Sequence, residues 1–175
     1  SLGTIGRMIA TAASLILVTR TAVVGVPESI SGLLLILSGV AAIYGAFSWA
    51  NSESAVYGRP YWILGMGAFS VASAVRADPF ASLAWGELAI LSGGFIFLSS
   101  VRNRYIVILS LVGLAGLTSL PYAPGWNTVS LYQQPFGLAL FLLLLAQSLL
   151  AAGYLNFILQ PGEKAIGIER WVWII

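Results

Sequence analysis

Glu87 is the one ionisable residue in an otherwise apolar run, LAWGELAILSGGFIFL, over 83–98. A carboxylate held in hydrocarbon is costly, and such residues are usually paired or functional. If 83–98 crosses a bilayer, Glu87 falls about eight residues into its helix, which is about 12 Å deep and close to the midplane. The chemistry open to it there is proton carriage. The bland alternative is a structural carboxyl, protonated and hydrogen-bonded to a Ser or a backbone carbonyl, or paired with an Arg.

Few other residues could join it. Arg20 and Arg76 are candidate partners, although both suit an interface, where a long basic side chain snorkels to water. Glu53 shares the polar stretch NSESAVYGRP, over 51–60, with Arg59. A solvated pair of that kind contributes little. Gln147 and Asn156 interrupt a long apolar run, where amides hydrogen-bond between helices or line a water path. The chain has no His and no Cys. Cysteine-held iron–sulfur clusters, His-ligated haem and Cys/His zinc sites are therefore excluded within it. No catalytic centre, metal site or cofactor is expected.

The elements that must position these residues follow from composition. The chain is 59% hydrophobic and 8% charged, with a mean hydropathy of +0.94. A soluble domain carries about 25% charged residues, so these side chains cannot cover a water-facing surface. The formal net charge is +2 with no basic stripe, which argues against nucleic-acid binding. The expected partner is a lipid bilayer. The apolar runs are continuous and do not alternate as barrel strands do. The expected fold is therefore all-α, a polytopic transmembrane helical bundle of six spans plus a partial seventh.

Those spans are read at 5–24, 30–50, 61–75, 80–101, 105–120 and 136–159, with 171–175 opening the seventh. Ser29 or Ser31 is the expected N-cap of the second. Arg76-Ala77-Asp78-Pro79 turns the chain, and Arg102-Asn103-Arg104 is a tight basic loop. The longest irregular stretch is 121–134, whose Tyr122, Trp126 and Tyr132 suit the headgroup level. Trp171 and Trp173 suit the same level, after a solvated loop with Glu163, Lys164, Glu169 and Arg170. Arg7, Arg59, Arg102, Arg104, Lys164 and Arg170 fall on one side of this arrangement, and Arg20 and Arg76 on the other. Basic loops face the cytoplasm, so both ends of the stretch are expected there.

Small residues recur at four-residue spacing, at Ser38, Ala42 and Ala46 and again at Ala68 and Ala72. Such faces let helices approach closely in lipid. Gly93-Gly94 reads either as close packing or as an unwound point of the kind transporters use for binding. The chain starts with Ser and ends WVWII. It is read as a single transmembrane domain, 1–175, without a signal peptide and as a fragment of a longer subunit.

Several stretches, taken in order, resemble the antiporter-like membrane subunits of respiratory complex I, of Mrp-type multisubunit antiporters and of membrane-bound hydrogenases. They are Leu15-Ile16-Leu17-Val18-Thr19-Arg20, then Ala42-Ile43-Tyr44-Gly45-Ala46 followed by Ala50 and Glu53, then Pro121 and Gly125 with Trp126 where relatives have Phe. The resemblance implies a membrane subunit of a proton- or cation-translocating assembly in a prokaryotic cell membrane. Its partners would be other membrane subunits, and NADH, flavin and iron–sulfur binding would be left to those. The departures are specific. Ala55 stands where the family has the Lys after its acidic residue, and Pro60-Tyr61-Trp62 replaces its next motif. Aligning on Phe97-Leu98 puts Ala89 at the family's relay His and Gly93 at its relay Lys. The expectation is a divergent member, either non-pumping or moving protons through Glu87 alone. A structural or assembly membrane protein without a transport role is the alternative.

Overall fold

The computed structural model describes residues 2–97, 104–123, 125–133 and 137–160. Six α-helices follow one another: α1 (Leu2–Val24), α2 (Glu28–Ala50), α3 (Ala55–Val75), α4 (Pro79–Phe97), α5 (Arg104–Leu117) and α6 (Leu138–Leu159). A 3-10 helix, Trp126–Tyr132, lies between the last two. There is no strand among the described residues. Four helices are long and apolar enough to cross a membrane: α1, α2, α4 and α6. α5 has 14 residues, about 21 Å at 1.5 Å per residue, against a hydrocarbon core of about 30 Å. The expected seventh span at 171–175, together with Trp171, Trp173, Lys164, Arg170, Arg102 and Gln134, lies outside the described residues.

The outer surface is apolar. Leu17, Val24, Leu33, Val40, Phe47, Phe141 and Leu159 all point outward and are exposed. The interior mixes Ala, Gly and Ser with Leu, Ile, Met and large aromatics. An apolar outer surface suits lipid, because tails solvate Leu as well as a core does, and small side chains inside let backbones meet.

Contacts between helices set the directions. Ser70 meets Ser82 and Trp62 meets Ala89, so α3 and α4 run antiparallel. Thr19 meets Ser82, and Leu15 packs on Gly86, which lays α1 antiparallel to α4. Gly39 faces Leu142 and Trp49 faces Gly153, so α2 and α6 run parallel. Ser38, Ala42 and Ala46 are buried on α2, and Ala68 and Ala72 on α3, as their spacing predicts. At Gly45 a Cβ would stand 2.6 Å from the Gly65 nitrogen and 2.8 Å from the Tyr61 carbonyl, so α2 and α3 touch backbone to backbone.

Trp49 closes the core. It is fully buried and lies between Gly58 of α3 and Gly153 of α6, where a Cβ would come within 2.7 and 2.8 Å of its ring. Its ring centroid is 4.5 Å from Phe157, 5.2 Å from Trp62 and 5.8 Å from Phe97. Such aromatic pairs contribute about 0.5–1.5 kcal/mol each beyond their buried area.

Three local expectations are corrected. The third helix is not short. It begins at Ala55, inside the expected polar connection, and carries Pro60 within it. Ser54 caps it by accepting a hydrogen bond from the Tyr57 amide. Pro60 is the sixth residue of this helix, past the first four amides that lack an intrahelical acceptor, so the helix forgoes the bond that residue would make to the Val56 carbonyl. The second helix takes neither Ser29 nor Ser31 as its cap; Pro27 precedes Glu28, without a side-chain cap. The fifth helix ends at Leu117 rather than at 120.

The turn at 76–79 is built as its sequence suggests. Ala77 adopts a positive φ of 55°. Its amide bonds the Ala74 carbonyl, and the Asp78 amide bonds the Ser73 carbonyl, which terminates α3 in a Schellman motif. Asp78 then caps α4 through Oδ1, which accepts from the Ala81 amide at 2.9 Å. Pro79 occupies the first helical position, where its missing N–H costs nothing.

Candidate functional site

Glu87 lies one residue from the middle of α4 and is exposed. α4 turns its other side inward, where Ala84, Trp85, Leu88, Ala89 and Ser92 are buried. Glu87 instead lines a groove of about 570 Å³ between α4 and α1, with Ala12, Leu15, Ile16, Thr19, Leu83, Gly86, Ile90 and Leu91. Glu87 is the single ionisable residue in that lining. Among the described residues no hydrogen bond or ion pair reaches its carboxylate.

The groove exists because α1 meets α4 unevenly. Thr19 Oγ1 lies 3.3 Å from Ser82 Oγ, which lies 3.0 Å from Ser70 Oγ. Ser70 also donates to the Ser82 carbonyl at 2.9 Å. This hydroxyl cluster fastens α1, α3 and α4 at one end. Further along, Leu15 packs on Gly86, and the groove opens beside them.

The other predicted residues are dispersed. Arg20 is exposed on α1, one residue beyond the groove lining. Arg76 is the C-cap of α3, beside Asp78, and is not brought to Glu87. Glu53 is exposed in the turn between α2 and α3, and Arg59 has moved from the connection into α3 itself. Gln147 donates across to the Leu117 carbonyl at the end of α5, an interhelical bond of the kind its position suggests. Asn156 lies on the exposed side of α6.

The positions that the resemblance assigns to a relay face away from Glu87. Ala89 is buried, and its carbonyl accepts from the Trp62 indole at 3.0 Å. Gly93 is packed so closely that a Cβ would come 2.9 Å from Trp62 Nε1. The helix runs unbroken through Gly93-Gly94, so these glycines serve packing and mark no unwound point. Two residues along a helix is about 200° of rotation, which is why Glu87 and Ala89 occupy opposite sides.

Sequence reasoning passed over a second polar cluster, formed by Ser73, Arg76, Asp78 and Ser130. Ser130 Oγ donates to Asp78 Oδ2 and ties the 3-10 helix to the start of α4. The signal available was Arg-Ala-Asp, two charges two residues apart at the end of a span. The 3-10 helix that brings Ser130 to them had no such signal. Tyr122 and Trp126 are exposed on this connection as expected, but the Tyr132 hydroxyl is buried, and burial pushes its pKa above the ordinary phenol value. No protein family, curated protein or solved structure matches the chain.

Proposed function

We propose that this chain is a membrane subunit, or part of one, of a complex I-like or Mrp-like proton- or cation-translocating assembly. It is a divergent member that lacks the family's Lys/His relay. In this reading all six helices cross the bilayer, with a partial seventh to follow, and both ends of the stretch face the cytoplasm of a prokaryotic cell.

One observation carries the proposal. Glu87 stands at mid-length in an apolar helix, unpaired among the described residues, in a groove that opens outward. A carboxylate at that depth against lipid alone is unfavourable. A neighbouring membrane subunit over the groove would supply its partner. The resemblance of the ordered motifs around Arg20, Gly45 and Pro121 supports the kind of assembly.

A second reading, a structural or assembly subunit without transport, is favoured by a different observation. The groove lining holds no second ionisable group to receive a proton from Glu87. The two separate in the intact assembly reconstituted into vesicles. Glu87→Gln is expected to abolish or sharply slow proton or cation flux. Unchanged flux with the variant incorporated would sink the relay and leave the structural reading.

A further inference from the structure

A cavity of about 220 Å³ lies where α3 stops and α4 begins, lined by Ser73, Arg76, Asp78, Ser130, Leu131 and Gln133. A water molecule takes about 30 Å³, so the space suits a few waters or one small polar group. Its walls carry unused hydrogen-bonding capacity. Ser73 is completely buried, and its hydroxyl has no partner among the described residues. Some helical hydroxyls in this chain bond the carbonyl four residues back, as Thr11, Ser14, Thr19 and Ser148 do, and others bond across helices, as Ser70 and Ser92 do; Ser73 does neither. Arg76 Nε is likewise buried without a partner. Burial lowers the Arg76 pKa.

Asp78 faces the same cavity from the other side. Its two oxygens each accept one bond, from the Ala81 amide and from Ser130, and each keeps further acceptor capacity. Arg76 and Asp78 line one space yet make no ion pair with each other among the described residues. The arrangement is a cation with idle donors on one wall and a carboxylate on the other. The complementary guest carries negative oxygens at one end and N–H donors at the other.

We propose that this cavity binds an ammonium–phosphate zwitterion of the phosphoethanolamine type, with phosphate oxygens on Arg76 and Ser73 and the ammonium on Asp78. The site stands at the N-terminus of the α4 span, and the connecting segment that lends it Ser130 and Leu131 also carries the exposed Tyr122 and Trp126. Aromatic residues of this kind gather at headgroup level, so the bilayer itself can deliver the guest. The inference rests on the membrane placement of α4 and is independent of ion translocation.

The test compares headgroups. The protein is released from bilayers containing phosphatidylethanolamine, phosphatidylcholine and phosphatidylglycerol, and retained lipid is counted by native mass spectrometry. Phosphatidylethanolamine is expected to be enriched over both others. Arg76→Gln should reduce its retention about ten-fold or more, the loss of charge-assisted hydrogen bonds. Asp78→Asn keeps the cap on α4, since Asn caps as well as Asp, and should abolish the preference over phosphatidylglycerol. Calorimetry with free phosphoethanolamine separates the sources: binding means the headgroup alone suffices, and silence beside lipid retention means the ligand is the lipid. Equal retention of the three lipids by the wild-type protein, or unchanged selectivity in both folded variants, overturns the proposal. If a variant fails to fold, the wild-type ranking decides.

Discussion

Two seams of the bundle use the same small residues to opposite ends. Between α2, α3 and α6, Gly45 meets the backbone at Gly65, and Trp49 fills the space that Gly58 and Gly153 leave. Between α1 and α4 a groove stays open among the described residues, and Glu87 lines it with Ala12, Leu15 and Gly86. A Cβ on Gly86 would meet only Leu15, at 3.4 Å, which is ordinary contact. A small residue therefore closes a seam only when a backbone or a large ring faces it. Gly86 meets only the Leu15 side chain, at ordinary contact distance, and a groove stays open beside it.

Trp49→Ala is expected to have the largest effect, a loss of about 3–5 kcal/mol from an unfilled aromatic cavity. Reversible unfolding in detergent or bilayer would measure it, and a change near zero would mean that the closed seam is not the core. The glycines come next. Gly45→Ala should cost about 1–3 kcal/mol by overpacking against backbone. Gly86→Ala should be neutral or gain up to about 1 kcal/mol from helix propensity. Equal effects from the two would erase the distinction between the seams.

Trp62→Phe removes the indole donor to the Ala89 carbonyl while keeping a ring, and should cost about 1 kcal/mol. The smallest effect is expected at Glu87, which makes no bond within the described chain. Glu87→Gln should leave the unfolding of the isolated chain unchanged while weakening its retention in the native assembly. A clear loss of stability in isolation would show an internal partner, and the open seam would need another explanation.

Much of the architecture was legible residue by residue. The small-residue spacing of α2 located its buried face, because helical period and close approach are local properties. Ala77-Asp78-Pro79 announced a stop and a start, because a terminating turn, a capping carboxylate and a Pro at the first helical position each act on neighbouring backbone. Pro60 misled for the same local reason. A Pro reads as a boundary, but Ser54 had already begun the helix, which continues through Pro60 with one backbone bond forgone. The cavity around Arg76 was illegible, because Ser130 reaches Asp78 across 52 residues through a connection without periodicity.

By itself the sequence determined an all-helical, apolar chain and a single carboxylate near the middle of one span. Composition alone argues against a water-covered surface, and the apolar runs locate the helices but not the start of α3 or the end of α5. It could not determine which way that carboxylate turns. α4 is apolar around its whole circumference, and a helix without an amphipathic stripe carries no instruction for its rotation. Only packing chose. Trp62 bonding to Ala89, and Leu88 lying against the Gly116–Gly125 contact, drew one side of α4 inward. That left Glu87 facing out, toward α1 and whatever stands beyond it.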